Sequence, residues 1–304
     1  MAARSLPPPW WADRPELDAT LVDIVHRAPR QFGQEQSRWT LAAIQRVCRW
    51  LAAYTPSGLW RLLQRLEVQW KRGRDYIHSP DPDYDAKRKY LADRRAEVQA
   101  APERLVLLYG DELTYYRQPT LAAAYHHTGP TQPLARRSLR SNTTTRVVGA
   151  LNALTGRVSV LQASRIGVRA LIQFYEQLCR EYAAAERLYL VLDNWPIHFL
   201  PDVLAALEPQ DWPWPWVRSP GVKDQLSPRA RRLNLPIQLV CLPTYASWLN
   251  PIEKLWRFLY QQVLHLHPWA DDLAALRQEV LDWLAQFADG SDDLLRYVGL
   301  LIPK

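Results

Sequence analysis

Two apolar runs in this chain stop at a carboxylate: residues 105–109 lead through Gly110 into Asp111, and residues 188–192 lead directly into Asp193. A short, nearly continuous apolar run reads as a strand buried on both faces. The acid that ends it then falls at the strand's C-terminal edge, where open α/β sheets place their sites. A third acid, Glu253, follows the run 237–242 differently. Asn250 is placed to cap a helix, Pro251 suits its first position, and Glu253 falls at the third. Three acids from three elements can converge on one edge. No histidine or cysteine cluster accompanies them, so an all-oxygen donor set favours hard Mg²⁺ or Mn²⁺ over zinc.

Charge balance points to the partner. The 304 residues carry a formal charge of +7 with 23% charged side chains, so the excess base is spread along the chain and nucleic acid is its natural counterpart. At 48% hydrophobic the chain can bury a full core, in two or more domains. The three cysteines, Cys48, Cys179 and Cys241, lie far apart in apolar stretches and read as reduced core residues. Residues 1–15 hold Arg4, Pro7-Pro8-Pro9 and Trp10-Trp11 where a secretion signal would need an apolar core. No run approaches the length of a membrane span. A soluble, cytoplasmic and nucleoid-associated protein without a membrane partner is expected.

After an extension over residues 1–37, residues 38–78 form the first predicted unit. Thr40 precedes a helical pattern with Leu41, Ile44, Val47, Cys48 and Leu51 on one face; Thr55-Pro56 opens a second with Leu59, Leu62, Leu63 and Leu66 inward. Arg61, Gln64 and Arg65 face outward from it, and a basic, strand-like stretch with Lys71, Arg72 and Arg74 follows. Two short helices and a tight turn resemble a winged helix-turn-helix, with an ordinary amphipathic pair as the alternative. Residues 79–102 read as a linker, Ser79-Pro80-Asp81-Pro82-Asp83, and a charged helix whose Lys87, Arg88, Lys89, Arg94 and Arg95 are solvated or contact a nucleic-acid backbone.

From residue 103 to 290 the pattern predicts a mixed sheet flanked by helices. It opens with strands at 105–109 and 113–116 joined by a turn, a basic loop through Arg136, Arg137 and Arg140, and strands at 146–151 and 158–162. Helix 168–184, strand 188–192, helix 200–207, strand 237–242, helix 251–265 and helix 271–287 follow, with residues 291–304 as a tail.

The strings Tyr109-Gly110-Asp111-Glu112, Leu192-Asp193-Asn194 with His198, and Leu242-Pro243-Thr244-Tyr245 through Asn250-Pro251-Ile252-Glu253-Lys254-Leu255-Trp256 carry a resemblance. They are similar to the three acidic motifs of DDE transposases, of the bacterial insertion-sequence family 630 type within the mariner-like superfamily. The resemblance spans roughly residues 105–287. It implies an RNase H-like catalytic core that cleaves transposon ends and transfers the 3′-OH into target DNA, with a TA dinucleotide as target. It further implies two Mg²⁺ or Mn²⁺ ions, Asp111 on both, Asp193 on one and Glu253 on the other. Double-stranded DNA, both terminal inverted repeats and target, would be the partner of a homodimer on paired ends.

The chain departs from the family in two places. One helix-turn-helix precedes Ser79 where such transposases generally carry two DNA-binding units. The interval from Asp193 to Glu253 is also longer than usual, through an insertion at 209–236 that holds Trp212, Trp214 and Trp216 and then Arg218, Lys223, Arg229, Arg231 and Arg232. Aromatic and basic residues together suit strand stacking, whereas Trp-Pro runs also fold back on their own domain. Around the acids, Glu112, Asn194, His198 and Asn250 are candidates to support the site, with turn or helix capping as the alternative for the asparagines; Trp256 reads as core. A domesticated or truncated DNA-binding relative is the alternative function. A glycoside hydrolase built on two acids is disfavoured by the third acid and the basic balance.

Overall fold

The computed structural model describes residues 15–71, 78–216, 228 and 230–301. The chain divides into two compact units, Met1–Tyr76 and Ile77–Lys304.

In the first unit, α1 (Pro15–His26), α2 (Leu41–Val47) and α3 (Pro56–Arg65) share a small core of Leu21, Ile24, Ile44, Cys48, Leu51, Leu59, Leu62 and Leu63. Helix α1 therefore belongs to this unit, within the stretch read from sequence as an extension. Its apolar stripe is short, so periodicity alone passes it over. Thr40 and Thr55 cap α2 and α3 by accepting from Ala43 N at 3.2 Å and Gly58 N at 3.1 Å. The first predicted helix ends early: α2 stops at Val47, and a 3₁₀ turn, Arg49–Leu51, carries the chain on. Residues 68–71 form no strand, and Arg72 and Arg74 lie outside the described residues.

The second unit is built on one five-stranded sheet in the order β3-β2-β1-β4-β5. The strands are β1 (Leu105–Tyr116), β2 (Thr144–Asn152), β3 (Val158–Ala163), β4 (Arg187–Leu192) and β5 (Ile237–Cys241). The first three form the antiparallel meander, and β4 and β5 join β1 in parallel. The turn expected between residues 109 and 113 does not exist. Gly110, Asp111 and Glu112 have weak strand propensity, but they pair with Ala150, Gly149 and Val148 of β2, so β1 runs unbroken for 12 residues. Ladder pairing overrides the local signal. Strand β4 accompanies β1 only as far as Tyr109, opposite Val191, so Asp111 still lies beyond the end of the parallel pair.

Helices cover both faces. α4 (Tyr84–Ala100), read from sequence as a linker helix, buries Leu91 and Val98 in the core of this unit, and its Arg94 reaches Tyr189 of β4. α7 (Ile252–Leu259) lies on that same face, while α5 (Val168–Glu181) and the 3₁₀ turn Pro196–Phe199 meet at Tyr175 and His198. The single helix expected over 251–265 ends in a π turn, Tyr260–Leu264, whose Tyr260 hydroxyl donates to the Thr114 carbonyl at 3.0 Å. α6 (Pro201–Ala205) and α8 (Leu273–Ala285) are shorter than predicted. The predicted tail contains α9 (Asp292–Val298), capped by Ser291, with Leu294, Leu295 and Val298 buried. Cys48 and Cys241 are buried and Cys179 partly so; all three are free thiols. Among the described residues no helix is long and apolar enough to cross a membrane.

The insertion after residue 208 packs on its own unit. Trp212 and Trp214 meet Tyr90 of α4 edge-on at 5.5 and 5.8 Å, and Trp216 stacks on Phe199 at 5.2 Å. Folding back therefore accounts for these tryptophans.

One glycine decides how α7 can lie. A Cβ on Gly149 would sit 2.6 Å from Cη2 of Trp256, so the bare backbone at this strand position makes room for the indole. Gly149→Ala should lower unfolding stability by about 1–3 kcal/mol through overpacking. Urea denaturation followed by tryptophan fluorescence measures this, and an unchanged midpoint would show that the ring has space to move.

Candidate active site

Successive residues of a strand point to opposite faces, so Asp111 and Glu112 look in opposite directions from β1. Asp111 faces α7, where its Oδ2 accepts from the Trp256 indole N–H at 2.9 Å. Glu112 faces the turn Pro196–Phe199, and its Oε1 lies 3.4 Å from Nε2 of His198, without hydrogen-bond geometry between them. Asp193 follows the last residue of β4 and remains half exposed; its Oδ1 accepts from Trp195 N at 2.9 Å and lies 3.8 Å from His198 Nε2. Glu253 enters from the first turn of α7.

Glu253 links two clefts. It lines one of about 500 Å³ with Asp111, Glu112, Trp256 and Arg257, and another of about 650 Å³ with Asp193, Asn194, Trp195 and Tyr245. The electrostatics show the same convergence. Burial foremost, then the negative charges of Glu253, Glu112 and Asp193, pushes the Asp111 carboxyl up to about 8. Glu253 is also raised, by burial and by Asp193, against a smaller pull from Arg257. Like charges have been brought together at a partly buried edge.

The supporting residues hold the edge in shape. Asn250 does not cap α7 with its side chain: its Nδ2 donates to the Gly110 carbonyl at 3.0 Å and ties the start of the helix to β1, one residue before Asp111. Asn194 Nδ2 donates to the Leu242 carbonyl at 2.8 Å, binding the end of β4 to the segment after β5. His198 is fully buried, with Tyr175 Oη 3.3 Å from its Nδ1. Trp256 is core as expected and also the hydrogen-bond partner of an acid; indole offers one donor and no acceptor, so a buried carboxylate is a fitting partner. Four residues from Ile252 was the legible signal, and the partner of its N–H was not.

The described basic candidates are mostly exposed. Arg61 and Arg65 are exposed on α3 and Gln64 is half-buried; Arg65 is 3.6 Å from Asp18 of α1. Lys71, Arg136, Arg137, Arg140 and Arg232 are exposed. Arg229 and the Arg231 side chain lie outside the described residues.

The family model of the DDE superfamily endonucleases matches residues 106–277, which contain all three acids. The chain belongs to that family. A 39 kDa protein of insertion element IS630 from Shigella sonnei is 24% identical over 250 residues, 81% of this chain and 64% of the relative. The chain thus spans somewhat less than two thirds of that protein's length. Among solved structures, the Mos1 transposase paired-end complex with left transposon end matches with a TM-score of 0.57 at 16% identity, covering 99% of this chain and 78% of that one. The Mos1 strand transfer complex matches with a TM-score of 0.56 at 16% identity, covering 98% and 77%. This likeness establishes an RNase H-like fold.

The raised Asp111 carboxyl fixes a sign for stability. An acid whose folded pKa lies above its unfolded value binds its proton more tightly when folded; stability falls as pH rises from the ordinary carboxylate range toward 8. Asp111→Asn keeps an acceptor for Trp256 and removes the charge. In chelator-treated protein it should melt higher than wild type above pH 8, with the difference vanishing in mild acid. A variant that melts lower at alkaline pH would show that the charge is compensated.

Proposed function

We propose that this DDE endonuclease is a transposase, which cuts the ends of a DNA element and joins the freed 3′-OH to target DNA. The observation that carries the reading is the convergence of Asp111, Asp193 and Glu253 at one sheet edge inside the family-matched span. Their donor set fits hard divalent cations: oxygens only, with burial and neighbouring negative charges raising the carboxyls of Asp111 and Glu253 and only Arg257 lowering that of Glu253. When bound, Mg²⁺ or Mn²⁺ would neutralise phosphate charge and favour formation of an oxygen nucleophile. Asp111, Asp193 and Glu253 would hold it.

The chain's own groups supply position. Trp256 fixes one oxygen of Asp111, while Asn250 sets where α7 begins and hence where Glu253 stands. Glu112 and His198 stand behind Asp193, their nearest atoms and its carboxylate within 4.8 Å of one another. The exposed arginines of α3 and of the β1–β2 loop suit phosphate contacts, and a homodimer would bring two such edges to paired ends.

Asp111→Asn, Asp193→Asn and Glu253→Gln should each abolish plasmid nicking in Mg²⁺ or Mn²⁺ while gel-shift binding persists, and pairs of these changes should be no worse than singles. Trp256→Phe should cut more slowly by about ten- to a hundredfold. Nicking in EDTA, or near-normal activity in any acid variant, would defeat the assignment. A wild type that binds DNA and never nicks it would leave a DNA-binding relative as the function.

For the first unit, Arg61→Ala with Arg65→Ala should weaken DNA binding and reduce its salt dependence by about two counterions at most. Unchanged affinity with the helices intact would remove α3 from the interface.

A further inference from the structure

Tyr245 stands in a conformation that its side chain disfavours. Pro243 to Ala246 form a turn closed by Ala246 N to the Pro243 carbonyl at 3.1 Å, and Tyr245 fills its third position with φ of +56°. That position ordinarily takes glycine or asparagine, because a Cβ crowds the backbone there. Nothing about packing explains the tyrosine: the residue is 76% exposed, and among the described residues its ring meets no other aromatic ring. A bulky residue kept at positive φ without a packing role is a reason to look for a ligand.

The turn is also held from beneath. Thr244 N donates to Asp81 Oδ2 at 2.8 Å, and Ser79 Oγ donates to the Thr244 carbonyl at 2.6 Å, so both backbone polar groups of the residue before Tyr245 are fixed by a segment far earlier in the chain. Asp81 is buried and paired with Lys87 Nζ at 2.8 Å. Burial alone would raise its carboxyl, but the hydrogen bonds from Lys87, Thr244 and Asp83 hold it below the ordinary value, so the anchor is ionised at neutral pH. The ring is thereby presented on a fixed turn, in the cleft of about 650 Å³ that also holds Asp193 and Glu253.

We propose that Tyr245 is a stacking platform for one nucleobase left unpaired beside the phosphate at the acids. The proposal rests on the nuclease reading above. A phosphate held through a divalent cation at Asp193 and Glu253 would bring its attached base toward the cleft that Tyr245 also lines. Bases inside a duplex have both faces covered, so the platform takes a flap, an end or an extruded base. Stacking uses the π-face, which every base has, so Tyr245 sets the position of the strand and adds little choice of sequence.

The test uses the full chain in Ca²⁺ with a nicked duplex whose flap is a single 2-aminopurine nucleotide, a base whose fluorescence falls on stacking. Wild type and Tyr245→Phe should quench the flap and prefer it over a flush nicked duplex. Tyr245→Ala and Tyr245→Asn should not quench, and should bind the flap duplex about tenfold more weakly. Tyr245→Asn should melt at or above the wild-type temperature, since asparagine tolerates positive φ. Quenching that survives Tyr245→Ala, a wild type that does not quench, or a lower melting temperature for Tyr245→Asn overturns the proposal. Cutting of the same duplex in Mg²⁺ reads the nuclease assignment separately: cutting without quenching removes the stacking alone, and quenching without cutting removes the nuclease reading alone.

Discussion

The hydrogen bond from Trp256 to Asp111 is the contact on which the arrangement of the catalytic unit turns. It reaches from a helix to the middle of a long strand, across a neighbouring strand position that is glycine. Asp111 is held near Glu253 and Asp193, whose negative charges, after burial, help to keep its proton on. One oxygen of Asp111 is fixed by an indole donor and α7 is pinned by Asn250 to Gly110, so the helix that carries Glu253 is tied to the strand that carries Asp111.

The sheet then sorts carboxylates by face. Asp111 and Glu112 are adjacent in sequence and opposite in direction, so Asp111 is grouped with Glu253 and Trp256 while Glu112 is grouped with His198. Asp193, past the end of β4, lies close to both groups. Strand alternation thus distinguishes a pair that sequence alone presents as equivalent, and it explains why a mid-strand acid can serve a site at the strand edge: β4 stops where β1 continues.

The apolar runs before Asp111 and Asp193 made the parallel strands and the positions of both acids legible, because two-face burial writes itself directly into composition. The string from Asn250 to Trp256 did the same for Glu253. The turn expected at Gly110 failed because ladder pairing with β2 outweighs local propensity. Asn250 was placed correctly and given the wrong partner, since capping is a local pattern and the Gly110 carbonyl is 140 residues away in sequence. Trp256, the Ser79–Asp81 anchor and helix α9 share that cause: each acts through contacts that no short window contains. The tryptophans of the insertion, open to either reading in sequence, pack on Tyr90 and Phe199.

The central claim is that three carboxylates from three elements form one cation site. Anomalous diffraction from crystals soaked in Mn²⁺ tests it most directly. The account predicts density in coordination contact with Asp111, Asp193 and Glu253, lost in Asp111→Asn crystals. Density confined to Glu112, Asp193 and His198, on the other face of β1, would contradict it.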